Sequence, residues 1–135
     1  MLYNRQGAEL AMTGQIHGLV TLPVTKASTK LAGYDYPGQA EYFAKLAGNL
    51  PFTTILIYRD FRAALFTTHM PLIEACSMVN KHNLLNKIKY LHAKRLDLGF
   101  PNLRLAIASL NPHAGESGTM GREEIDEMEP AIEEA

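Results

Sequence analysis

The chain has 135 residues, a length typical of one domain. Its apolar share of 47% and its charged share of 20% are those of a globular protein, which excludes a disordered chain. The formal net charge of −1 hides a split, because residues 1–120 hold twelve Lys and Arg against seven acids, while residues 121–135 hold one Arg against seven acids. We expect the acids to lie on a solvated terminal helix.

The same composition disfavours several classes of partner. No basic cluster with interleaved aromatic residues occurs, which argues against nucleic acid. The first ten residues lack a basic region and an apolar core, and no run of 18 apolar residues follows, so no membrane association is expected. The single cysteine, Cys76, allows no intramolecular disulfide and indicates a reducing, cytoplasmic location. Among its apolar neighbours Cys76 is predicted to be inert packing.

Four apolar runs are predicted to be strands: 17–23, 51–60, 61–69 and 102–110. The second and third are joined by little more than Arg59-Asp60. Such a short connection predicts an antiparallel hairpin, since a parallel crossover needs a dozen residues or more.

Helical patterns separate these runs. One is predicted at residues 40–48, one begins at Pro71, and a third follows the spacing of the leucines and isoleucine at 84–91. Strands alternating with helices predict an α/β fold, a sheet flanked by helices with at least one antiparallel pair, and no internal domain boundary.

Polar residues follow three of the predicted strands, where ligands gather in α/β sheets. His69 and His113 each lie just past a strand, and two imidazoles on rigid strand ends could bind a divalent metal. From spacing alone, ordinary hydrogen-bonding loop histidines explain the pattern better, and a catalytic zinc normally takes three protein ligands. Lys26 could hold an anionic group or be a solvated surface lysine.

The glycines at 115, 118 and 121 precede the acidic helix and invite comparison with a phosphate-binding loop. Acids at 123, 124 and 126 occupy the first turns of that helix and would repel a dianion. We therefore expect the glycines to shape a tight turn with Asn111 and Pro112, and the acids to cap the helix.

Four blocks, TLPVTKAS, YPGQAEYFA, TTHMPL and LNPHAGESGTMGREEID, occur in this order over nearly the whole chain. In sequence and separation they resemble the 4-hydroxythreonine-4-phosphate dehydrogenase (PdxA-like) family. The last block is long and chemically unusual, which makes the resemblance specific. It corresponds to the central portion of a family member more than twice as long.

The resemblance implies an α/β fold like that of isocitrate and isopropylmalate dehydrogenases, with a mixed sheet flanked by helices, of which this chain would be a fragment. It implies a homodimer that shares its metal site between subunits. It also implies NAD-dependent oxidation and decarboxylation of a small phosphorylated hydroxy acid, assisted by Zn, Mg, Mn or Co. By correspondence, His69 and His113 would be metal ligands and Lys26 an active-site, catalytic residue.

Two departures from the family pattern bear on this function. The substrate-contacting His-Thr pair of a Gly-His-Thr-Glu block corresponds here to Gln39 and Ala40, and alanine cannot make the hydrogen bond of threonine. The family's third metal histidine and its later substrate contacts have no counterpart in these residues. Three hypotheses follow: an enzyme of the family, a relative acting on another hydroxy acid, and a non-catalytic α/β module that dimerises or binds metal weakly.

Overall fold

The computed structural model describes residues 1–135 and contains six α-helices and one sheet. The helices are α1 (Leu2–Met12), α2 (Lys26–Leu31), α3 (Gln39–Leu46), α4 (Leu72–Ser77), α5 (Lys81–Ala93) and α6 (Glu129–Glu134). The strands are β1 (Ile55–Tyr58) and β2 (Phe61–Ala64). None of the helices is both long and apolar enough to cross a bilayer.

Contacts between Cα atoms group the chain into two compact units, residues 1–65 and 66–135. The sequence analysis expected a single α/β segment without an internal boundary, and that expectation stays a prediction. The units are described one at a time.

In the first unit the predicted hairpin is confirmed. β1 pairs antiparallel with β2 from Ile55 opposite Ala64 to Tyr58 opposite Phe61, so Arg59 and Asp60 form the connection. Arg59 has a φ of 50°, in the left-handed region that tight connections require. Both strands are mostly exposed rather than buried, because no further strand or helix layer of this chain covers them.

The helical part of this unit is built around α3, which confirms the helix predicted over 40–48. Tyr42 of α3 and Ala8 of α1 are its buried residues. The extended segment 17–23 lies against α1, because a Cβ added to Gly7 would stand only 2.7 Å from Leu19 Cδ1. The sequence analysis placed no helix at α1 or α2.

The second unit packs α5 and the C-terminal helix around one apolar core. The predicted start at Pro71 is confirmed, since Pro71 is the N-cap residue of α4, and α5 covers the predicted 84–91 region. The core consists of Leu84, Leu85, Met128 and Ala131, with Phe66, Val79, Ile88 and Ile107 packed against it. Cys76, predicted to be packed, is instead exposed.

The prediction of strands at 17–23 and 102–110 was wrong. Neither segment joins a sheet, and the sheet has two strands only. A strand exists through hydrogen bonds to a neighbour, and neither segment finds a partner strand among these residues. The α/β class is confirmed, whereas the likeness to isocitrate dehydrogenase stays a prediction.

The acidic tail is more than a solvated helix. Glu127 Oε2 accepts a 2.6 Å hydrogen bond from the backbone N–H of Lys81, the first residue of α5. Lys81 Nζ in turn lies 2.7 Å from Glu134 Oε2, and this pair lowers the pKa of Glu134. The Asn80 side chain accepts a hydrogen bond from the N–H of Asn83. Asn80 and Glu127 thus each satisfy one backbone N–H at the start of α5 that has no partner within the helix.

Replacing Glu127 with alanine should therefore destabilise the second unit by about 1 kcal/mol, the usual loss for a removed helix cap. Glu133→Ala, at an exposed position of α6, is the matched control and should change stability by less than about 0.5 kcal/mol. Denaturant unfolding followed by circular dichroism measures both. Equal midpoints for the two variants would show that the contact contributes nothing.

Candidate functional site

Lys26 is the first residue of α2, placed there by the cap that precedes it. Thr25 is the N-cap residue, and its Oγ1 accepts a 3.3 Å hydrogen bond from the N–H of Ser28. Lys26 and Lys30, one turn apart, line an open cavity of about 480 Å³. The remaining lining residues are Tyr34, Asp35, Tyr36 and Pro37. Two lysines and two phenols give this cavity donors suited to an anionic group.

Tyr42 packs against the two tyrosines that line this cavity, Tyr34 and Tyr36. Its ring meets that of Tyr34 edge-on at 5.8 Å and that of Tyr36 at 5.0 Å, distances typical of favourable aromatic pairs. Burial, and then the neighbouring Tyr34, raise the pKa of Tyr42. Lys45 covers Tyr36 at 5.6 Å from the ring centroid. Tyr34 and Tyr36 are thus packed against a buried residue of α3.

Gln39 and Ala40 begin α3. Gln39 is already engaged at both ends of its amide: Oε1 accepts from Asn4 Nδ2 at 3.0 Å, and Nε2 donates to the carbonyl of Leu22 at 3.1 Å. The amide therefore ties α1 to the segment that leads to Lys26. One N–H and one lone pair of Gln39 remain for a ligand. Ala40 offers no polar group.

His69 and His113 both lie in the second unit and both are exposed. His69 precedes α4 and has a φ of 52°, unusual for a residue other than glycine. Lys26, Gln39 and Ala40 lie in the first unit, so the predicted site residues divide between the two units.

The loop that carries His113 has a defined conformation. Asn111 Oδ1 accepts from the N–H groups of His113 at 3.0 Å and Gly115 at 3.3 Å, which confirms that Asn111 shapes the bend. The next four residues are left-handed, with φ of 48° at Ala114, 72° at Gly115, 44° at Glu116 and 54° at Ser117. Only one of the four is a glycine, so this left-handed run could not be predicted from residue types.

Glu116 supports the imidazole of His113, a role that the sequence analysis missed. Its Oε2 lies 3.5 Å from His113 Nδ1, and both side chains are more than half exposed. A carboxylate beside Nδ1 favours the proton on that nitrogen. The lone pair is then on Nε2, the arrangement in which a carboxylate orients a metal-binding histidine.

Glu124 differs from the prediction that the acids cap the last helix. Its side chain turns back to the end of the 102–110 segment, where Oε1 accepts from the N–H of Leu110 at 3.0 Å. The helical turn that begins at Glu124 has no side-chain cap. Asp126 instead pairs with Arg122 at 2.8 Å. Periodicity cannot distinguish an exposed acid of a first helical turn from a buried one, which explains the error.

The chemistry of the available donors fits a divalent metal only in part. Two exposed imidazoles are suitable ligands for Zn, Mn or Co. However, no group of three or more His, Cys, Asp or Glu side chains comes together anywhere in the structure. His69 and His113 could thus contribute to a metal centre, but residues 1–135 do not assemble a full ligand set.

The family model described as "Pyridoxal phosphate biosynthetic protein PdxA" matches residues 1–135. The chain belongs to the PdxA family. It is 38% identical over 125 residues to a 4-hydroxythreonine-4-phosphate dehydrogenase of Aquifex aeolicus, covering 93% of this chain and 39% of that protein. It is 35% identical over 133 residues to a putative D-threonate 4-phosphate dehydrogenase of Symbiobacterium thermophilum, covering 98% of this chain and 40% of that protein.

The fold comparison agrees with this membership. The crystal structure of 4-hydroxythreonine-4-phosphate dehydrogenase from Klebsiella pneumoniae superposes with a TM-score of 0.84 at 31% identity, over 97% of this chain and 40% of that one. The chain thus spans about two-fifths of the length of its PdxA relatives.

The conformation of the PdxA loop at His113 depends on the absence of a side chain at Gly115. A Cβ there would stand 2.9 Å from the carbonyl of Gly121 and 3.0 Å from Glu124 Oε2. Gly115→Ala should therefore destabilise the protein by about 2 kcal/mol or more, adding a steric clash to the cost of a positive φ. Gly33→Ala is the matched control, since Gly33 has a φ of 81° and nothing within 4 Å of its added Cβ.

Denaturant unfolding of both glycine variants measures the difference. A loss at Gly115 no larger than that at Gly33 would mean that the loop does not close on Glu124 and Gly121 as described.

Proposed function

We propose that this chain forms part of an NAD-dependent dehydrogenase that oxidises and decarboxylates a small phosphorylated hydroxy acid of the 4-hydroxythreonine 4-phosphate type. The observation that carries the proposal is the match of the whole chain to the PdxA family together with the shaped loop at His113. The proposal includes a homodimer, with a metal centre completed by residues outside this segment.

His69 and His113 are the proposed metal ligands, since both imidazoles are exposed and lie in loops of the second unit. A divalent cation bound there would supply Lewis-acid polarisation of the substrate oxygen, which favours both hydride loss and the later carbon–carbon cleavage. Glu116 lies beside Nδ1 of His113, so Nε2 would be the nitrogen available to a cation.

Lys26 is proposed to bind an anionic group of the substrate, with Lys30 beside it in the same cavity. Lysine suits this task because its ammonium group is a compact charge on a flexible stem. Tyr34 and Tyr36 limit the cavity and add phenolic donors. Nicotinamide binding is proposed on family membership alone.

Substrate preference is proposed to depend on Gln39 and Ala40. Gln39 keeps one N–H and one lone pair for a ligand, whereas Ala40 removes a hydrogen bond that threonine would make. A threonate 4-phosphate is therefore a second candidate substrate, since one relative carries that name. The remaining alternative, a non-catalytic module that binds metal weakly, is favoured by the lack of a third ligand within these residues.

Metal binding should be weak and should depend on His113. The expected result is a Mn²⁺ or Zn²⁺ affinity in the micromolar range or weaker, because two imidazoles replace the usual three or more protein ligands. His113→Ala should abolish binding, and His92→Ala, an exposed histidine at the end of α5, should leave it unchanged. Calorimetry measures all three proteins. Unchanged affinity in His113→Ala would remove this residue from the site.

Turnover distinguishes the enzyme from the non-catalytic module. NADH formation is measured with 4-hydroxythreonine 4-phosphate and with threonate 4-phosphate. Ala40→Thr should raise kcat/KM for the former relative to the latter by about two- to tenfold, the usual worth of one hydrogen bond. Absence of NADH with both substrates at any chain concentration would favour the non-catalytic module.

A further inference from the structure

Glu124 is the only charged residue that the structure buries, with 8% of its surface exposed. Its Oε1 accepts the N–H of Leu110 at 3.0 Å, and its Oε2 has no hydrogen-bond partner among the protein's atoms. A buried carboxylate with one unpaired oxygen is costly, and an apolar residue of similar size would pack there without that cost. The geometry of the adjoining loop offers a reason for its presence.

The carboxylate of Glu124 lies beneath the loop that carries His113. Its Oε2 and the carbonyl oxygen of Gly121 occupy the space beside the Cα of Gly115, at 3.0 and 2.9 Å from where a Cβ would stand. Gly115 is buried and bonded to Asn111, and its carbonyl accepts from the N–H of Met120 at 2.9 Å. The carboxylate therefore bonds the start of the loop, at Leu110, and lies next to the buried middle of the loop at Gly115.

The loop needs such a support because its backbone is strained. Ala114, Glu116 and Ser117 carry side chains at positive φ, and each such residue persists only where surrounding contacts impose it. Asn111 fixes the first turn through two N–H groups. Glu124 fixes the chain immediately before Asn111 through the N–H of Leu110, and its Oε2 lies beside Gly115. His113 lies between these two fixed points.

We propose that Glu124 is a positioning residue that holds the His113 imidazole in its metal-binding direction before any metal is bound. The proposal rests on the proposed function in one respect, namely that His113 is a metal ligand. It assigns Glu124 no contact with metal or substrate. Because a charge-assisted hydrogen bond to Leu110 carries the effect, glutamine should substitute in part and aspartate, shorter by one methylene, should not.

The test is a Zn²⁺ titration of the full chain with isotope-labelled histidine, in which the ring resonances of His69 and His113 are followed separately by NMR. In the unmodified chain both should shift. In Glu124→Ala the His113 shift, and with it the His69 shift of the shared site, should be lost or need at least about tenfold more Zn²⁺, the effect typical of a lost supporting contact. Glu124→Gln should restore most of the His113 response.

Glu123→Ala is the matched control, since Glu123 is the exposed neighbour of Glu124, and it should titrate like the unmodified chain. An unchanged His113 response in Glu124→Ala overturns the proposal. A loss in a folded Glu124→Ala chain that Glu124→Gln does not reverse also overturns it, because the effect would then not depend on the hydrogen bond to Leu110.

If Glu124→Ala does not fold, Glu124→Asp takes its place: loss of the His113 response supports the proposal and a normal response overturns it. If neither histidine responds to Zn²⁺ in the unmodified chain, the proposal of a metal site fails. The role of Glu124 is then tested by comparing the metal-free spectra of the variants. A His113 resonance displaced in the Glu124 variants but not in Glu123→Ala then supports positioning, and an unmoved one overturns it.

Discussion

The loop that carries His113 is closed by one hydrogen bond, from the backbone N–H of Leu110 to the buried carboxylate of Glu124. This bond joins the end of an extended apolar segment to the beginning of the C-terminal helical region. The loop between Leu110 and Glu124 must therefore bring its two ends together. The four left-handed residues at 114–117 make the turn that this requires. The direction in which His113 is presented is a consequence of that closure.

The first unit contains a similar hydrogen bond between a side chain at a helix start and the backbone of a segment outside any sheet. There, Gln39 at the start of α3 donates to the carbonyl of Leu22, near the end of the other extended segment, and accepts from Asn4 of α1. Both segments lack a partner strand among these residues, so their backbone groups cannot all be satisfied by a sheet. In each unit, one polar side chain at the beginning of a helix satisfies a backbone group close to a candidate site residue, Lys26 or His113.

Much of the local structure could be predicted from the sequence. The hairpin around Arg59 and Asp60, the helix over 40–48 and the start at Pro71 follow from short-range rules that need no knowledge of the remaining fold. The strands predicted at 17–23 and 102–110 do not form, because a strand needs a neighbouring strand that can lie far away in sequence. An apolar pattern alone therefore cannot predict which segments join a sheet.

The candidate site shows the same division. Family blocks pointed to Lys26, Gln39, Ala40, His69 and His113, and Asn111 was expected to shape the bend. The roles of Glu116 and Glu124 escaped prediction because they depend on a left-handed run in which three of four residues are not glycine. Acids in a first helical turn usually complement the helix dipole, and only the three-dimensional structure shows that one of them is buried instead.

The loop at His113 is held by hydrogen bonds within the chain, and we infer that it needs no metal to take this shape. Amide hydrogen exchange in the metal-free chain tests it most directly, at the N–H groups of Leu110, His113 and Gly115, which bond to Glu124 and Asn111. The account predicts slowed exchange at all three amides with a chelator present, and little further protection when Mn²⁺ or Zn²⁺ is added. Exchange at the rate of an unstructured peptide until metal is added would contradict it.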